Sequence, residues 1–478
     1  MSPTVPWWVN AVVYQIYPRS FMDSDGDGIG DLAGIRSRLD YLAWLGVDAI
    51  WLSPIYPSPL ADLGYDVADY CRVAPEYGTL ADFDRLLTDA HRLGLRVLLD
   101  LVPSHTSIEH PWFREHPDRY MWADRPPNNW VSAFGGSAWA RDRASGRYYL
   151  HSFYEEQPDL DWRNPDLREA FAEVVRFWLD RGVDGFRVDA VQQLLKDAKL
   201  RDDGVASGQA PLPFHPEFGR LDHSRSSNQP DVGIALSAIR AAAGDAFLVG
   251  EAYVPTSAMA TYLDHLDATF CFELLHAPFE VEELQSAIHP ALALKANAWA
   301  LSNHDFPRIA TRLGEPRAMM AAILLLTLPG PVFIYQGDEI AMVDGPGADP
   351  PFDRARRDPH RHPMQWDPEP AGGFTTGKPW LPLTDPLSRS VSRQRDSKGT
   401  PLDLYRELIA LRPSIEGELE WNRELGARVL AYQRGRHLVV LNLGSQAVDP
   451  GSRWRPLLDT GSAGRGVGPE GGQVFLAD

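Results

Sequence analysis

Cysteine is nearly absent, with Cys71 and Cys271 the only two in 478 residues. No disulfide framework is therefore available to staple the fold. Long apolar runs are missing too, none approaching the roughly 18 residues that cross a membrane. Positive charge is in deficit, 46 Lys and Arg against 65 Asp and Glu, for a net charge of −19. Without a basic excess to neutralise phosphates, nucleic acid and anionic membranes are disfavoured as partners, whereas a neutral substrate is not. The N-terminal MSPTVPWWVNAVVYQ has no basic start followed by an apolar core. A secretory leader is not expected from it, and a cytoplasmic, reducing location fits. Several catalytic signatures are also lacking. GGSAW lacks the nucleophile-elbow pattern, and neither a glycine-rich phosphate loop nor a Cys/His zinc cluster occurs. No internal repeat, coiled coil or dimer stripe is readable, so a monomer is expected.

What is present is a rhythm. Short β-branched runs alternate with longer amphipathic ones: AVVYQIY (11–17), VDAIWLS (47–53), LRVLLDLV (95–102), VDGFRVDA, AFLVGEA, DATFCFEL, AWALSN and PVFIYQ. Between them lie helical patterns such as LAGIRSRLDYLAWLG, TLADFDRLLTDAHRLG and LREAFAEVVRFWLDRG, and PLDLYRELIALR closes the set. Eight strand–helix units predict an α/β fold, a closed (β/α)8 TIM barrel of the kind that needs about 250 residues before insertions. A doubly wound open sheet is the competing arrangement. Residues 104–162, rich in Trp, Pro, Asn and Gly, carry no clean helical period and are too long for a connection. They predict an inserted subdomain after the third strand. Beyond residue 413, ARVLAYQRGRHLVVLNLG predicts a hairpin within a small β-domain. The expected organisation is a barrel over 1–103 and 163–413, the insertion over 104–162, and a C-terminal β-domain over 414–478.

In a barrel of this type the reactive groups sit where strands end. LRVLLD ends at Asp100, five residues before His105. GFRVDA carries Arg187 and Asp189 two residues apart, on one side of the strand. FLVGEA ends in Glu251, LSNHD in His304 and Asp305, and GYDVADY supplies Tyr65 and Asp66. Each alone could be a helix cap or a solvated charge; their recurrence at consecutive strand ends argues for a site. A cation beside Asp189 is expected to keep it ionised, as a nucleophile requires, and burial to keep Glu251 protonated, as an acid requires. Two carboxyls in opposed environments are what cleavage of a glycosidic bond needs.

Taken in order, DLVPSH (100–105), GFRVDA (185–190), VGEA (249–252) and LSNHD (301–305) resemble the four signature segments of glycoside hydrolase family 13, the α-amylase family. QPDLDW (157–162) resembles the motif that closes its inserted subdomain, and GVDAIWLSP and PGPVFIYQGDEI resemble its flanking barrel strands. PPNNWVSAFGGSAW, QPDLDWRNPDLREA and RDPHRHPMQW are similar to its α-glucosidase and oligo-glucosidase branch. The resemblance implies a retaining double displacement, with Asp189 as nucleophile, Glu251 as general acid/base and Asp305 as a third carboxylate holding sugar hydroxyls. It further implies that Arg187, His105, His304, Asp66 and Tyr65 surround the glucosyl ring, with Phe134 and Phe153 offering it apolar faces. Within this branch valine after the nucleophile accompanies α-1,6 preference. Ala190 stands there instead, which implies α-1,4-linked maltose and short malto-oligosaccharides as substrates. A glucosyl transferase or isomerase, an α-1,6-preferring oligo-glucosidase and a non-catalytic scaffold are the alternatives. Ser104 replaces the usual Asn of the first segment, so the calcium which that Asn helps to bind is not expected. Gln192, Gln193 and Phe306 also depart from the family pattern.

One acidic stretch stands apart. DSDGDGIGD places Asp23, Asp25, Asp27, the carbonyl of Ile29 and Asp31 at alternating positions, with Gly28 at the sixth place of a calcium-type loop. The bidentate Glu of an EF-hand is replaced by Gly34, so the loop is not one. A structural Ca2+ is expected there, with a turn of solvated aspartates and a Mg2+ site as the alternatives.

Overall fold

The computed structural model describes residues 5–206, 215–294, 296–347, 353–460 and 466–477. Its first three strands are β1 (Val12–Ile16), β2 (Ala49–Leu52) and β3 (Arg96–Leu101). Three short strands follow, β4 (Trp122–Ala123), β5 (Trp139–Arg141) and β6 (Tyr148–Leu150). The series then resumes with β7 (Gly185–Val188), β8 (Phe247–Gly250), β9 (Ala268–Phe270), β10 (Asn297–Ala300) and β11 (Val332–Tyr335). Strands β1, β2, β3, β7, β8, β9, β10 and β11 close on themselves in that order as the expected eight-stranded barrel. Their residues are buried on both faces, which explains runs such as VLLDL and FLVG that do not alternate with polar residues.

By its internal contacts the chain forms two compact units. One comprises residues 51–87 and 97–270. In it β3, β7, β8 and β9 pair in parallel, and β4–β6–β5 make a small antiparallel sheet over Trp130, Ala138, Trp139 and Leu150. The helix Pro165–Leu179 packs against the helix Gly233–Ala243. Asn164 caps it by accepting the N–H of Asp166 at 2.9 Å, and Pro165 occupies its first turn. Leu167, Ala170, Phe171, Val174, Val175 and Trp178 form one buried stripe along it. Trp178 meets Phe83 edge-on at 5.0 Å, and its indole donates to the carbonyl of Tyr70.

The other unit comprises residues 1–50, 88–96 and 271–478. Here β1 and β10 flank β11. The C-terminal sheet contains β12 (Leu419–Trp421), β13 (Val429–Arg434), β14 (His437–Asn442), β15 (Trp454–Asp459) and β16 (Gly471–Ala477), in the order β12–β13–β14–β16–β15. The expected hairpin is β13–β14, closed by Gly435 at φ 53° and Arg436 between the paired residues Arg434 and His437. Two expectations shift locally. The helix read over LAGIRSRLDYLAWLG is broken at Arg38 into Leu32–Ser37 and Leu39–Leu45. DATFCFEL is strand only as far as Phe270, and Phe272–His276 is helical.

One buried cation ties the first strand to the last helices of this unit. Arg412 donates to the carbonyls of Asn10 at 2.9 Å, Leu326 at 2.6 Å and Leu328 at 2.9 Å, and also to Gly330. Replacing it with a chain of similar length but no donors strands those buried acceptors. Arg412→Met should therefore lower unfolding free energy by about 3 kcal/mol, measured by urea denaturation; a change below about 0.5 kcal/mol would refute the role.

Candidate active site

Register places the first cluster. Asp100 on β3 pairs directly with Arg187 on β7, and Val188 pairs with Gly250 on β8. Asp189 and Glu251 are each the next residue, so both emerge at neighbouring strand ends. The buried Arg187 guanidinium serves all three acids. Nη1 lies 2.7 Å from Asp100 and 2.6 Å from Asp189, and Nη2 lies 2.8 Å from Glu251. Trp51 Nε1 and the Tyr65 hydroxyl donate to the other oxygen of Asp100 at 3.3 and 3.0 Å. Ala190 adopts a left-handed backbone at φ 44°, a conformation that costs a non-glycine residue energy. Its N–H donates to Glu251 Oε2 at 3.1 Å.

The electrostatics differ from the sequence-based expectation. Burial raises the pKa of Asp189 well above the usual carboxylate value, and the attraction of Arg187 does not cancel it because Glu251 and Asp100 add repulsion. Burial likewise pushes Asp100 up to about 6, against the pull of Arg187. Counting Arg187 beside Asp189 alone missed the other two acids. Three buried carboxyls around one guanidinium cannot all be charged without a net −2, so the cluster retains a proton near neutrality. Asp189 and Glu251 share the two terminal nitrogens of that guanidinium, and one protonated carboxyl beside one ionised carboxyl is the state from which a double displacement starts.

The neighbours expected around a sugar ring are present in the same unit. Asp66 is fully buried and accepts Ser58 Oγ at 2.6 Å and the N–H groups of Asp62 and Ala61 at 2.9 Å. The ring of Tyr65 has the Arg187 guanidinium over it at 5.8 Å. His105 is buried, which lowers its pKa and keeps the imidazole neutral. Its Nδ1 lies 2.9 Å from Ser104 Oγ, so the serine that departs from the family pattern orients this ring. Phe153 meets His105 edge-on at 5.2 Å, and Phe134 stacks on Tyr154 at 4.2 Å. Gln193 spends its side-chain carbonyl on the buried Lys196, and that of Gln192 accepts the N–H of Tyr253 at 3.3 Å.

The second cluster, described by itself, follows β10. Asp305 Oδ1 receives Arg361 Nη2 at 2.6 Å and Arg357 Nη1 at 3.0 Å, and His304 Nε2 lies 3.4 Å from Oδ2. Arg361 also donates to the carbonyl of His304, and Gln15 Nε2 is 2.8 Å from His304 Nδ1. Burial opposes ionisation of Asp305, but Arg357, His304 and Arg361 outweigh it and hold its pKa far below the usual range. Sequence reasoning missed Arg357 and Arg361. Both lie at RRDPHRHPMQW, which served only as a mark of resemblance. Phe306 meets His276 edge-on at 4.5 Å, with Arg312 over its ring at 4.9 Å.

In the acidic loop, Asp23, Asp25 and Asp27 are brought together, each offering an oxygen within 4.8 Å of the others. Asp23 is buried, which opposes its charge, but the Thr375 hydroxyl and the N–H groups of Gly26, Gly28 and Asp25 more than compensate and lower its pKa. Gly28 sits at φ +95°, where an added Cβ would lie 2.1 Å from the carbonyl oxygen of Lys378. Asp31 is not part of the triplet. It caps the following helix through Gly34 N–H at 2.7 Å and receives the Ser24 N–H at 2.7 Å.

Comparison with known proteins agrees with this geometry. Residues 15–417 match the family model described as alpha amylase, catalytic domain. The chain belongs to the α-amylase family, glycoside hydrolase family 13. It is 40% identical to a probable alpha-glucosidase of Rhizobium meliloti, over 89% of this chain and 87% of that one. It is 41% identical to an alpha-glucosidase of Culex pipiens, over 91% and 82% of the two chains. The crystal structure of an alpha-glucosyl transfer enzyme superposes with a TM-score of 0.92 at 36% identity, covering 99% of this chain and 100% of that one. Among the described residues no helix is long and apolar enough to cross a membrane.

The two guanidinium groups on Asp305 make a pH prediction. A carboxylate with a depressed folded-state pKa adds stability above its unfolded value of about 3.9, lost as pH falls through the folded value. Arg361→Met should therefore melt below wild type at pH 7, with the gap narrowing as pH drops below about 4. Calorimetric melting across pH checks this, and a gap independent of pH would refute it.

Proposed function

We propose that this family member is a retaining, exo-acting α-glucosidase that releases glucose from the non-reducing end of short α-1,4-linked gluco-oligosaccharides such as maltose. The observation that carries the reading is the pair Asp189 and Glu251, bound at 2.6 and 2.8 Å to the two terminal nitrogens of one guanidinium. An inverting enzyme separates its two carboxyls by about 6.5–9.5 Å to admit a water, whereas a retaining one holds them nearer, about 5–5.5 Å apart. Two carboxyls bound to the neighbouring nitrogens of one guanidinium are held near each other, which supports the retaining arrangement. Ionised Asp189 attacks the anomeric carbon while Glu251 gives its proton to the glycosidic oxygen, and the leaving sugar departs. Glu251, now a base, takes a proton from water, which attacks the glucosyl ester and frees Asp189. Within the unit of residues 51–87 and 97–270, Asp66, His105, Arg187 and Tyr65 fix the ring, and the family resemblance gives Asp305, kept ionised, and His304 the part of groups that hold sugar hydroxyls. Phe134 and Phe153 line its approach.

Ala190 after the nucleophile supports α-1,4 over α-1,6 preference. The likeness to an alpha-glucosyl transfer enzyme favours one second reading, in which a sugar hydroxyl replaces water. Products on maltose, isomaltose, sucrose and trehalose separate them: glucose alone supports hydrolysis, and accumulated longer sugars or isomers support transfer. Asp189→Asn should lower kcat by about 10⁴-fold or more on every substrate. Glu251→Gln should cost less on nitrophenyl glucoside, whose leaving group needs no proton, than on maltose. Unchanged activity in Asp189→Asn would overturn the assignment.

The acidic loop is read as a structural Ca2+ site. Three convergent carboxylates fit a hard cation that takes several oxygen ligands. Asp23, Asp25 and Asp27 would hold it with the Ile29 carbonyl, Asp31 being engaged as the cap of the following helix, and the ion's charge would offset their repulsion without entering the reaction. Chelation should lower the melting temperature, and calcium rather than magnesium should restore it. An unchanged melting curve in metal-free protein would exclude the site. The unpaired Cys71 and Cys271 suit a reducing cytoplasm, and a monomer is the proposed state, which light scattering tests.

A further inference from the structure

A cavity of about 490 Å³ opens in the unit formed by residues 51–87 and 97–270. It lies between the small β4–β6–β5 sheet, which contributes Trp122 and Trp139 with Arg147 just before β6, and the segments carrying Asp118, Asp161 and Arg163. None of its lining residues belongs to the Arg187 cluster or to the groups assigned to the glucosyl ring. Its volume falls within the roughly 300–1,000 Å³ of small-molecule sites.

The chemistry of the walls selects the ligand. Two acids and two guanidinium groups line it, and each guanidinium is also engaged by an acid outside the lining. Arg163 is paired with Asp231 at 2.7 Å, Arg147 lies 3.5 Å from Asp124, and Asp118 accepts Asn164 Nδ2 at 3.2 Å. Neither guanidinium is left unpaired for a phosphate. The lining groups do supply acceptors and donors for a neutral ligand with many hydroxyls.

The aromatic wall supplies the complementary feature. The indole of Trp122 is fixed at its edge by donation to the Pro117 carbonyl at 2.8 Å. One face of it stacks on Phe113 at 5.3 Å. Over the ring lies the guanidinium of Arg147, 5.6 Å from the centroid, on a side chain that is half exposed. An exposed arginine can swing aside at little cost, leaving a rigid indole face on which the C–H face of a sugar ring can pack. A rigid aromatic plane beside hydrogen-bonding groups is the complement of a pyranose.

We infer that this cavity is a second carbohydrate-binding site, which holds one end of a gluco-oligosaccharide and performs no chemistry on it. Such a site retains an oligosaccharide on the enzyme between catalytic events. It is independent of the roles given to Asp189 and Glu251.

Calorimetric titration of the Asp189→Asn protein with maltotetraose tests the inference. The expected result is two molecules bound per chain. Adding Trp122→Ala, or Ala198→Trp, which fills the cavity without removing any packing, should weaken the second binding event by about tenfold or more while leaving the first intact. In the otherwise wild-type enzyme, both changes should leave kcat/KM on nitrophenyl glucoside unchanged. A stoichiometry of one, or a second event insensitive to Ala198→Trp in folded protein, would overturn it. Consumption of maltotetraose by the Asp189→Asn protein would instead count against the catalytic assignment, which separates the two failures.

Discussion

One guanidinium shared among three buried carboxyls is the constraint on which the candidate active site depends. Arg187 is held opposite Asp100 by strand register, and Asp189 and Glu251 are delivered to it by the ends of two adjacent strands. The surrounding choices follow from that crowding. Trp51 and Tyr65 donate to the far oxygen of Asp100, dispersing charge that Arg187 cannot neutralise. Ala190 accepts a left-handed backbone, and its N–H reaches the second oxygen of Glu251. A β-branched residue would meet a larger penalty at that φ. The local strain thus serves the same end as the ion pairs, fixing two carboxyls that would otherwise repel each other.

The fold was largely legible because its signals are local. Eight apolar runs, each followed by a helical period, are enough to predict a closed parallel barrel, and the burial of both strand faces explains why the runs are continuous. The pair Arg187 and Asp189 was legible for the same reason, since two residues apart on a strand share a side. Asp23, Asp25 and Asp27 were legible from their spacing.

What escaped was long-range. Asp100 lies 87 positions from Arg187, and no period reveals that their strands pair in register. Without it the charge on Asp189 was weighed against one cation and no competitors, and its pKa was expected to fall when burial and two neighbouring acids raise it. Arg357 and Arg361, 52 and 56 positions from Asp305, were invisible for the same reason. The break at Arg38 shows the converse limit. An unbroken hydrophobic period does not report a local change in backbone path.

Three aspartates show how setting divides one functional group among different tasks. Asp23 is stabilised as an anion mainly by backbone N–H groups and a hydroxyl, donors that bring no net charge. The negative charge of its loop therefore remains available to a cation. Asp305 faces two guanidinium groups and a histidine, so cations outnumber the carboxylate; it cannot hold a proton near neutrality and can only accept hydrogen bonds. Asp189 sits where carboxyls outnumber the cation three to one, so that cluster holds a proton its members compete for. A group locked in one charge state cannot give and retake a proton, and in the proposed cycle Glu251, on the same guanidinium, is the group that does so. The ratio of cations to buried carboxyls thus keeps a proton in the Arg187 cluster and denies one to Asp305.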